Sequence, residues 1–447
     1  MTKLPSDWHR DRLKDVALVN GASLPTNTDP DYEFDYLEIS NVDYHGVINP
    51  DAIENLRFED APSRARRRVS RNCTLISSVR PNLQAVVFLS EISSNLVCST
   101  GFNVVQPIEN KVLPKFAYYA LISERGRQYF EATATGVGYP AISDKDFGSH
   151  RLPLPTLPEQ ERIAGYLDAS CAAIDAAIAA KRRQIETLDT TRESLIEHTV
   201  TRGVRVDAEL RTIDNEWLTM IPIHWQACRI KRIVSSVDYG ISQSTEPEGR
   251  YPVLKMGHIQ RGEITFRNLD FVHTVPEHLL LDKGDLLFNR TNSPDQVGKA
   301  AIFRRSKADQ VTFASYLVRL RTNHRADARY LNYLINCAGF LSFARKLAIP
   351  SVQQSNLNST RYCRLLVPRP PLPEQIEIAA FLDKRTAELN RIVANVEAQI
   401  AALTTYRKAL IHECVTGQRR ISEADLRAVT SRTARVDAEA QPEPTHA

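Results

Sequence analysis

The sequence predicts a duplicated fold: two α/β (α+β) globular domains joined by two long α-helices that form an antiparallel coiled coil. Three observations predict it. First, LPEQERIAGYLD from Leu157 returns as LPEQIEIAAFLD from Leu372, an offset of 215, and the match continues without a gap to LIEHTVT (195–201) and LIHECVT (410–416). A repeat on this scale means that one unit has been used twice. Second, apolar residues inside both repeats keep a 4-3 spacing. Third, the stretches ahead of each repeat carry short β-rich runs separated by turn residues.

The first globular stretch, residues 1–152, reads as mixed α/β, with strand-like runs at 73–79 and 85–89 and a helical pattern at 114–132. The first long helix, within 153–206, starts at Pro158, where a missing N–H costs nothing, followed by Glu159 in the dipole-favoured first turn. Its stripe is Leu167, Cys171, Ile174, Ile178, Ile185, Leu188 and Leu195. The second globular stretch, 207–367, repeats the mixture, with runs at 285–289 and 299–303 and a helical pattern at 327–347. The second long helix, within 368–425, opens on Pro373 and Glu374 and carries Leu382, Leu389, Val393, Val396, Ile400, Leu403 and Leu410. Three to four heptads of this pattern indicate a coiled coil. About 44 residues at 1.5 Å each give a rod on the order of 65 Å. An apolar stripe needs a partner, and the simplest is the helix's own duplicate, packed antiparallel with a globule at each end. Residues 426–447, rich in Ala, Glu, Thr, Arg and Pro, are expected to be disordered.

Composition narrows the function. At 43% apolar and 25% charged, the chain has the balance of a water-soluble protein. It has no uninterrupted apolar run of membrane-spanning length, and its start, MTKLPSDWHRDRLKDV, lacks the apolar segment of a signal peptide. The seven cysteines are scattered without a CxxC pair, which points away from zinc and disulfides and toward a reducing cytoplasm. The net charge of +4 is unevenly placed: residues 207–365 hold 22 Lys+Arg against 15 Asp+Glu, while residues 1–150 hold 16 against 19. A basic excess in one domain fits phosphate binding and equally fits a solvated surface.

No catalytic constellation emerges. Gly136-Val137-Gly138 lacks the third glycine of a dinucleotide loop, and Val297-Gly298-Lys299-Ala300 lacks the spacing of a P-loop. Asp146-Phe147-Gly148 has no companion kinase motif, and His273 with His278 lacks a third metal ligand. No metal site is therefore expected. Side chains suited to DNA do occur. The run Arg64, Arg66, Arg67, Arg68, Arg71, followed by Arg80, concentrates cations that suit phosphates. In the second domain Lys255, His258, Arg290, Asn292, Gln353, Gln354 and Asn356 supply groups of the kind that hydrogen-bond base edges.

With LPLPTLPEQ at 152–160, VPRPPLPEQ at 367–375 and GDLLFNRT at 284–291, the chain resembles the specificity subunit of type I restriction–modification systems, over almost all its length to about residue 425. The resemblance implies two target-recognition domains, each reading half of a bipartite site on double-stranded DNA. It implies that the paired helices act as a spacer and dock two methyltransferase subunits, with restriction subunits joining. S-adenosylmethionine, ATP and magnesium would belong to those partners, and this chain would bind no cofactor and do no chemistry. In the first domain the GDLLFNRT run has become NCTLISSV (72–79), which leaves equivalent roles there open. The rival reading is a coiled-coil scaffold holding two protein-binding domains without DNA contact; salt-dependent DNA affinity separates the two. A nuclease with scattered carboxylates is the other rival, revealed by metal-dependent cleavage by the purified chain.

Overall fold

A computed structural model describes residues 4–43, 46–79, 85–93, 95–136, 138, 140–205, 207–351 and 354–440. It divides into two units: residues 1–181 together with 397–447, and residues 182–396. The boundaries fall inside the two long helices, Leu157–Arg202 and Leu372–Val415, so each unit owns the start of one helix and the end of the other.

In the first unit the strand His9–Arg12 pairs antiparallel with Arg151–Leu154, the strand that leads into the first long helix. A four-stranded antiparallel sheet follows the order Ala17–Val19, Phe102–Pro107, Cys73–Ser77, Val86–Leu89. A second sheet orders Glu54–Arg57, Glu33–Leu37, Leu96–Ser99 and Ala65–Arg68, with the middle pair parallel. The second unit repeats this plan. Gln226–Arg229 pairs with Leu366–Arg369 ahead of the second long helix. Its six-stranded sheet carries the same four-strand core, Val234–Tyr239, Leu317–Thr322, Leu286–Asn289 and Ala300–Ile302. Tyr251–Leu254 again pairs parallel with a later strand, Thr312–Phe313. Three of the β-rich runs seen in the sequence are central strands buried on both faces, which explains their continuous apolar character, while Val86–Leu89 is an edge strand.

Each expected globular helix is two helices. Pro114–Ile122 and Glu124–Thr133 break at Ser123, and Ala328–Asn336 and Ala338–Lys346 break at Cys337; both break residues are extended. Ser123 then accepts a hydrogen bond from the Gly126 N–H and caps the second helix.

The helix pairing is antiparallel within each unit. In the first, Arg407 pairs with Asp175 at 3.0 Å and Lys181 hydrogen-bonds Gln399, so one helix ascends while the other descends. In the second, Arg192 donates to Asn390 at 3.2 Å, and a Cβ added to Gly203 would lie 3.4 Å from Glu374 Oε1. Exchanging the two repeats maps Arg407 onto Arg192 and Asp175 onto Asn390, so the same contact is made twice. Of the predicted stripe, Leu167, Cys171, Ile174, Ile178, Leu382, Val396 and Leu410 are buried. Ile185, Leu188, Leu195, Leu389, Val393, Ile400 and Leu403 are half-buried. One window of Leu157–Arg202 is long and apolar enough, by composition alone, to cross a membrane. Its apolar side chains include those of the paired stripe.

The LPEQ repeat proves to be a joint. Gln160 accepts a hydrogen bond from the Leu113 N–H (2.8 Å) and donates to the Pro155 carbonyl (3.0 Å). Gln375 accepts from the Asp327 N–H (2.9 Å) and donates to the Arg325 and Pro370 carbonyls. One buried amide therefore ties the start of each long helix to the first helix of its globule, satisfying backbone groups that burial would otherwise strand. Two turns later Asp168 accepts from Tyr119 Oη and Lys115 Nζ, and Asp383 from Tyr333 Oη and Arg329.

The expectation of a disordered tail is corrected: Glu423–Ala440 is helical, and residues 441–447 lie outside the described residues. Ser422 and Asp425 cap the helix reciprocally, and Leu426 and Val429 pack on the first unit's core. Leu426 rests against Gly165, where a Cβ would sit 3.3 Å from its methyl. Reading the segment by its overall polarity overlooked a capped, alanine-rich helix with two apolar anchors one turn apart.

Candidate nucleic-acid interface

In the second unit the core strand Leu286–Asn289 runs outward and continues as Thr291–Asn292, which pairs with Gln354–Asn356. The strand Ile349–Ser351 pairs on the far side, completing a three-stranded sheet. Residues some sixty positions apart, Arg290 and Asn292 on one side and Gln354 and Asn356 on the other, are thereby brought into one surface. Arg290 is held by its backbone: its N–H donates to the Tyr316 carbonyl (3.0 Å) and its carbonyl accepts from the Leu357 N–H (2.8 Å). Its guanidinium carbon lies 5.1 Å from the centre of the Tyr239 ring, and its Nε has no hydrogen-bond partner among the described residues. Asn292 Oδ1 accepts from the Ser293 N–H, and Asn356 Nδ2 reaches Thr291 Oγ at 3.4 Å. Gln354 is exposed. Gln353 lies outside the described residues.

Two tyrosines absent from the sequence-level expectation belong to this surface. Tyr239 and Tyr316 are 43% and 50% exposed, beside Ile349 at 55%. Tyr239 Oη bonds Ser359 Oγ at 2.6 Å, and Ser359 is itself buried. The available signal was an aromatic residue at a strand end next to glycine or serine, common enough to pass unnoticed.

Under this surface lies a buried ion network. Asp285, the aspartate of GDLLFNRT, accepts from Arg321 at 2.7 and 2.8 Å and from the Asp282 N–H at 2.9 Å. That hydrogen bond holds the Arg321 guanidinium above its ordinary range. Arg319, almost fully buried, bonds Asp238 and the carbonyls of His278 and Leu280. Burial alone would push the Asp238 carboxyl up; the hydrogen bonds from Arg319 and Ser236 bring it below the usual range. These charges are paired inside the protein, so they brace the sheet.

The remaining candidates divide. His258 is corrected: it is buried, its Nδ1 accepts from the Lys255 N–H and its Nε2 faces the Arg267 carbonyl, so it holds a turn and offers nothing to a ligand. Lys255 pairs with Asp270 and donates to Thr245 Oγ1, and the hydrogen bond from Lys255 followed by its charge holds Asp270 low. In the first unit, Arg67 turns inward onto Asn20, Asn103 and the Phe102 carbonyl, with its side chain only 12% exposed. Arg66 lies 4.4 Å over the Phe58 ring, Arg64 pairs with Glu38, and Arg71 donates to the Ser90 carbonyl. Arg68 is exposed and its side chain has no partner among the described residues. The arginine run is therefore one inward strut flanked by outward cations, as an edge strand with a bulge between Ala65 and Arg67 allows. Arg80 lies outside the described residues.

Hydrogen bonds settle which first-unit residues answer to the interface. Ser78 N–H donates to the Gly101 carbonyl and Ser78 carbonyl accepts from the Ile142 N–H. Ser78 thus occupies the place of Arg290, Gly101 that of Tyr316, and Ile142 that of Leu357. NCTLISSV is the structural counterpart of GDLLFNRT, with different side chains. Among the described residues no group of three or more His, Cys, Asp or Glu side chains could hold a metal ion.

The chain is thus a duplicated α/β globule, each copy leading into a long helix and each unit holding an antiparallel helix contact, with a polar, arginine-bearing surface in the second unit. The family profile of the type I restriction modification DNA specificity domain matches residues 5–187 and again 222–402, and the chain belongs to that family. It is similar to the MjaIX specificity subunit of Methanocaldococcus jannaschii, 22% identical over 441 residues, covering 94% of this chain and 95% of the relative. The putative MjaX specificity subunit of the same organism is 27% identical over 203 residues, 44% of this chain and 46% of that relative, so this match spans about half of its length. A solved structure from work on assembly and conformational transition of the type I R-M system superposes with a TM-score of 0.75 at 20% identity, covering 93% of this chain and 99% of the other. That likeness establishes the fold.

Proposed function

We propose that the chain is the DNA-reading subunit of a type I restriction–modification complex, each unit taking one half of a bipartite, asymmetric site. The single observation that carries this reading is the duplication with divergence. The joints and the helix contact repeat position for position, while the surfaces at Ser78 and Arg290 do not. Two heads of one build and different surface chemistry suit two different half-sites. Groove faces recur about every 10.5 base pairs, or 34–36 Å, so helices shared by both units would set the unread gap. The outer faces of those helices would dock two methyltransferase subunits, and restriction subunits would join them. S-adenosylmethionine, ATP and magnesium would be held by the partners, and this chain would contribute recognition and no chemistry.

The test is a modified-base map of host DNA from cells with and without this gene, with the accompanying methyltransferase expressed in both. A split motif with a fixed gap, methylated only when the gene is present, is the expected result. Inserting a four-residue turn or a heptad into both long helices should change the gap and keep both half-sites. Altered half-sites would sink the spacer role, and the absence of any gene-dependent motif would sink the recognition role.

A further inference from the structure

We infer that Arg290 is the guanine-reading residue of the second unit and that Tyr239 is the positioning residue that aims it; this rests on the reading of the chain as a DNA-recognition subunit. Four observations converge. Both backbone hydrogen bonds of Arg290 are made to neighbouring segments, so the side chain leaves the sheet in a fixed direction. Its guanidinium lies beside the Tyr239 ring, and that ring is fixed at its far end by the bond from Oη to buried Ser359. The fork is therefore held in place, with its Nε buried and without a hydrogen-bond partner among the described residues. The small sheet it enters also carries exposed Gln354, and Tyr316, whose carbonyl holds the Arg290 N–H, is half exposed.

The choice between base and phosphate follows from the comparison of the two units. The DNA backbone is the same at both half-sites, so a phosphate-holding position would be useful in both heads. The counterpart of Arg290 is Ser78, whose hydroxyl is spent on the Gly101 carbonyl, and the counterpart of Tyr316 is Gly101. A Cβ there would meet Ile39 Cδ1 at 2.5 Å, so an aromatic residue would require at least that side chain to move. A feature built in one head and lacking in the other belongs to what differs between the half-sites, namely the bases. Arginine meets guanine O6 and N7 with two parallel hydrogen bonds, and a fork held beside a fixed ring is already partly ordered for that geometry.

The experiment maps methylated sites in cells carrying the whole system with Arg290→Ala, Arg290→Lys, Tyr239→Phe or Tyr239→Ala in this chain. The wild type must first give a split motif; if it gives none, the recognition reading itself fails. Given that motif, Arg290→Ala should leave one half-site and the gap intact and relax a single G·C position of the other, with discrimination falling on the order of 10- to 100-fold. Arg290→Lys keeps the charge and loses the fork, so it should relax the same position. Tyr239→Ala should relax that position more weakly, and Tyr239→Phe, which keeps the ring but loses the bond to Ser359, should fall between Tyr239→Ala and the wild type. Uniformly weaker methylation with an unchanged motif in Arg290→Lys or Arg290→Ala would assign Arg290 to phosphate and overturn the proposal. An unaltered map would overturn it too, as would loss of all pattern in Arg290→Lys.

Discussion

The two units share one plan and differ at single positions, so each is a control for the other. Where His150 closes the first unit, Leu365 closes the second: the Leu13 N–H donates to the His150 carbonyl, and the Ile230 N–H to that of Leu365. Both side chains are buried. At the joint, Trp8 Nε1 donates to Glu159, which Arg420 also pairs with, while His224 takes Glu374 and Trp225 Nε1 has no partner among the described residues. At the helix contact, Arg407 meets a carboxylate in Asp175 and Arg192 meets an amide in Asn390. The lesson is that repetition preserves the apolar frame and the buried glutamine and Tyr–Asp pairs of the joint, whereas other polar groups at equivalent places have been exchanged.

The frame should therefore respond alike in both units. Leu167 and Leu382 occupy equivalent positions, each fully buried at the root of a long helix. Replacing either by Ala should destabilise its own unit by about 3–4 kcal/mol, against about half that for half-buried Ile185. Urea unfolding combined with hydrogen exchange resolves the units, and markedly unequal losses for the two leucines would break the equivalence.

Acid should separate the units. Burial, with the charge of Arg125 adding to it, lowers the His150 imidazole to about 4. The unfolded chain protonates this histidine near 6.5 and the folded unit does not until about 4, so the unfolded state binds the extra proton in that window. Stability is thus fully present above 6.5 and declines as pH falls toward 4, by roughly 3 kcal/mol in all. His150→Leu, which copies the second unit, should flatten this decline in the first unit's stability and leave the second unit's profile unchanged. A decline that survives the substitution would assign it to other groups.

The smallest effect is expected at the helix contact. Asp175→Asn converts the first unit's ion pair into the second unit's amide contact, and about 0.5 kcal/mol should be lost, less in high salt. A loss above about 2 kcal/mol would mean that the charge at this position matters beyond an exposed pair.

Much of the frame was legible in the sequence because burial imposes periodicity: every stripe residue from Leu167 to Leu410 ended buried or half-buried. The breaks at Ser123 and Cys337 were not legible, since good helix formers flank both and only tertiary packing selects the extended residue. Arg67 and His258 show a related limit. Residue type announces a cation or a base-edge group, but direction decides its use, and both point inward. Arg290, Asn292 and Gln354–Asn356 were recognisable as polar loops, yet their adjacency depends on a strand pairing that joins distant segments. Tyr239 and Tyr316 carried only the common pattern of an aromatic residue beside glycine or serine at a strand end.

The placement of the unit boundary inside the long helices has a consequence for biosynthesis. The second unit is one uninterrupted stretch, 182–396, and has everything it needs once that stretch has left the ribosome. The first unit must wait for 397–440, because Leu410, Ile411, Cys414 and Val415 complete the core begun by Ile163, Leu167, Cys171 and Ile174. Closing a loop of more than two hundred residues adds little equilibrium cost, since that cost grows only logarithmically with length, but it delays folding. The head translated first is thus the head finished last, and its apolar helix start is the surface most in need of protection on the nascent chain.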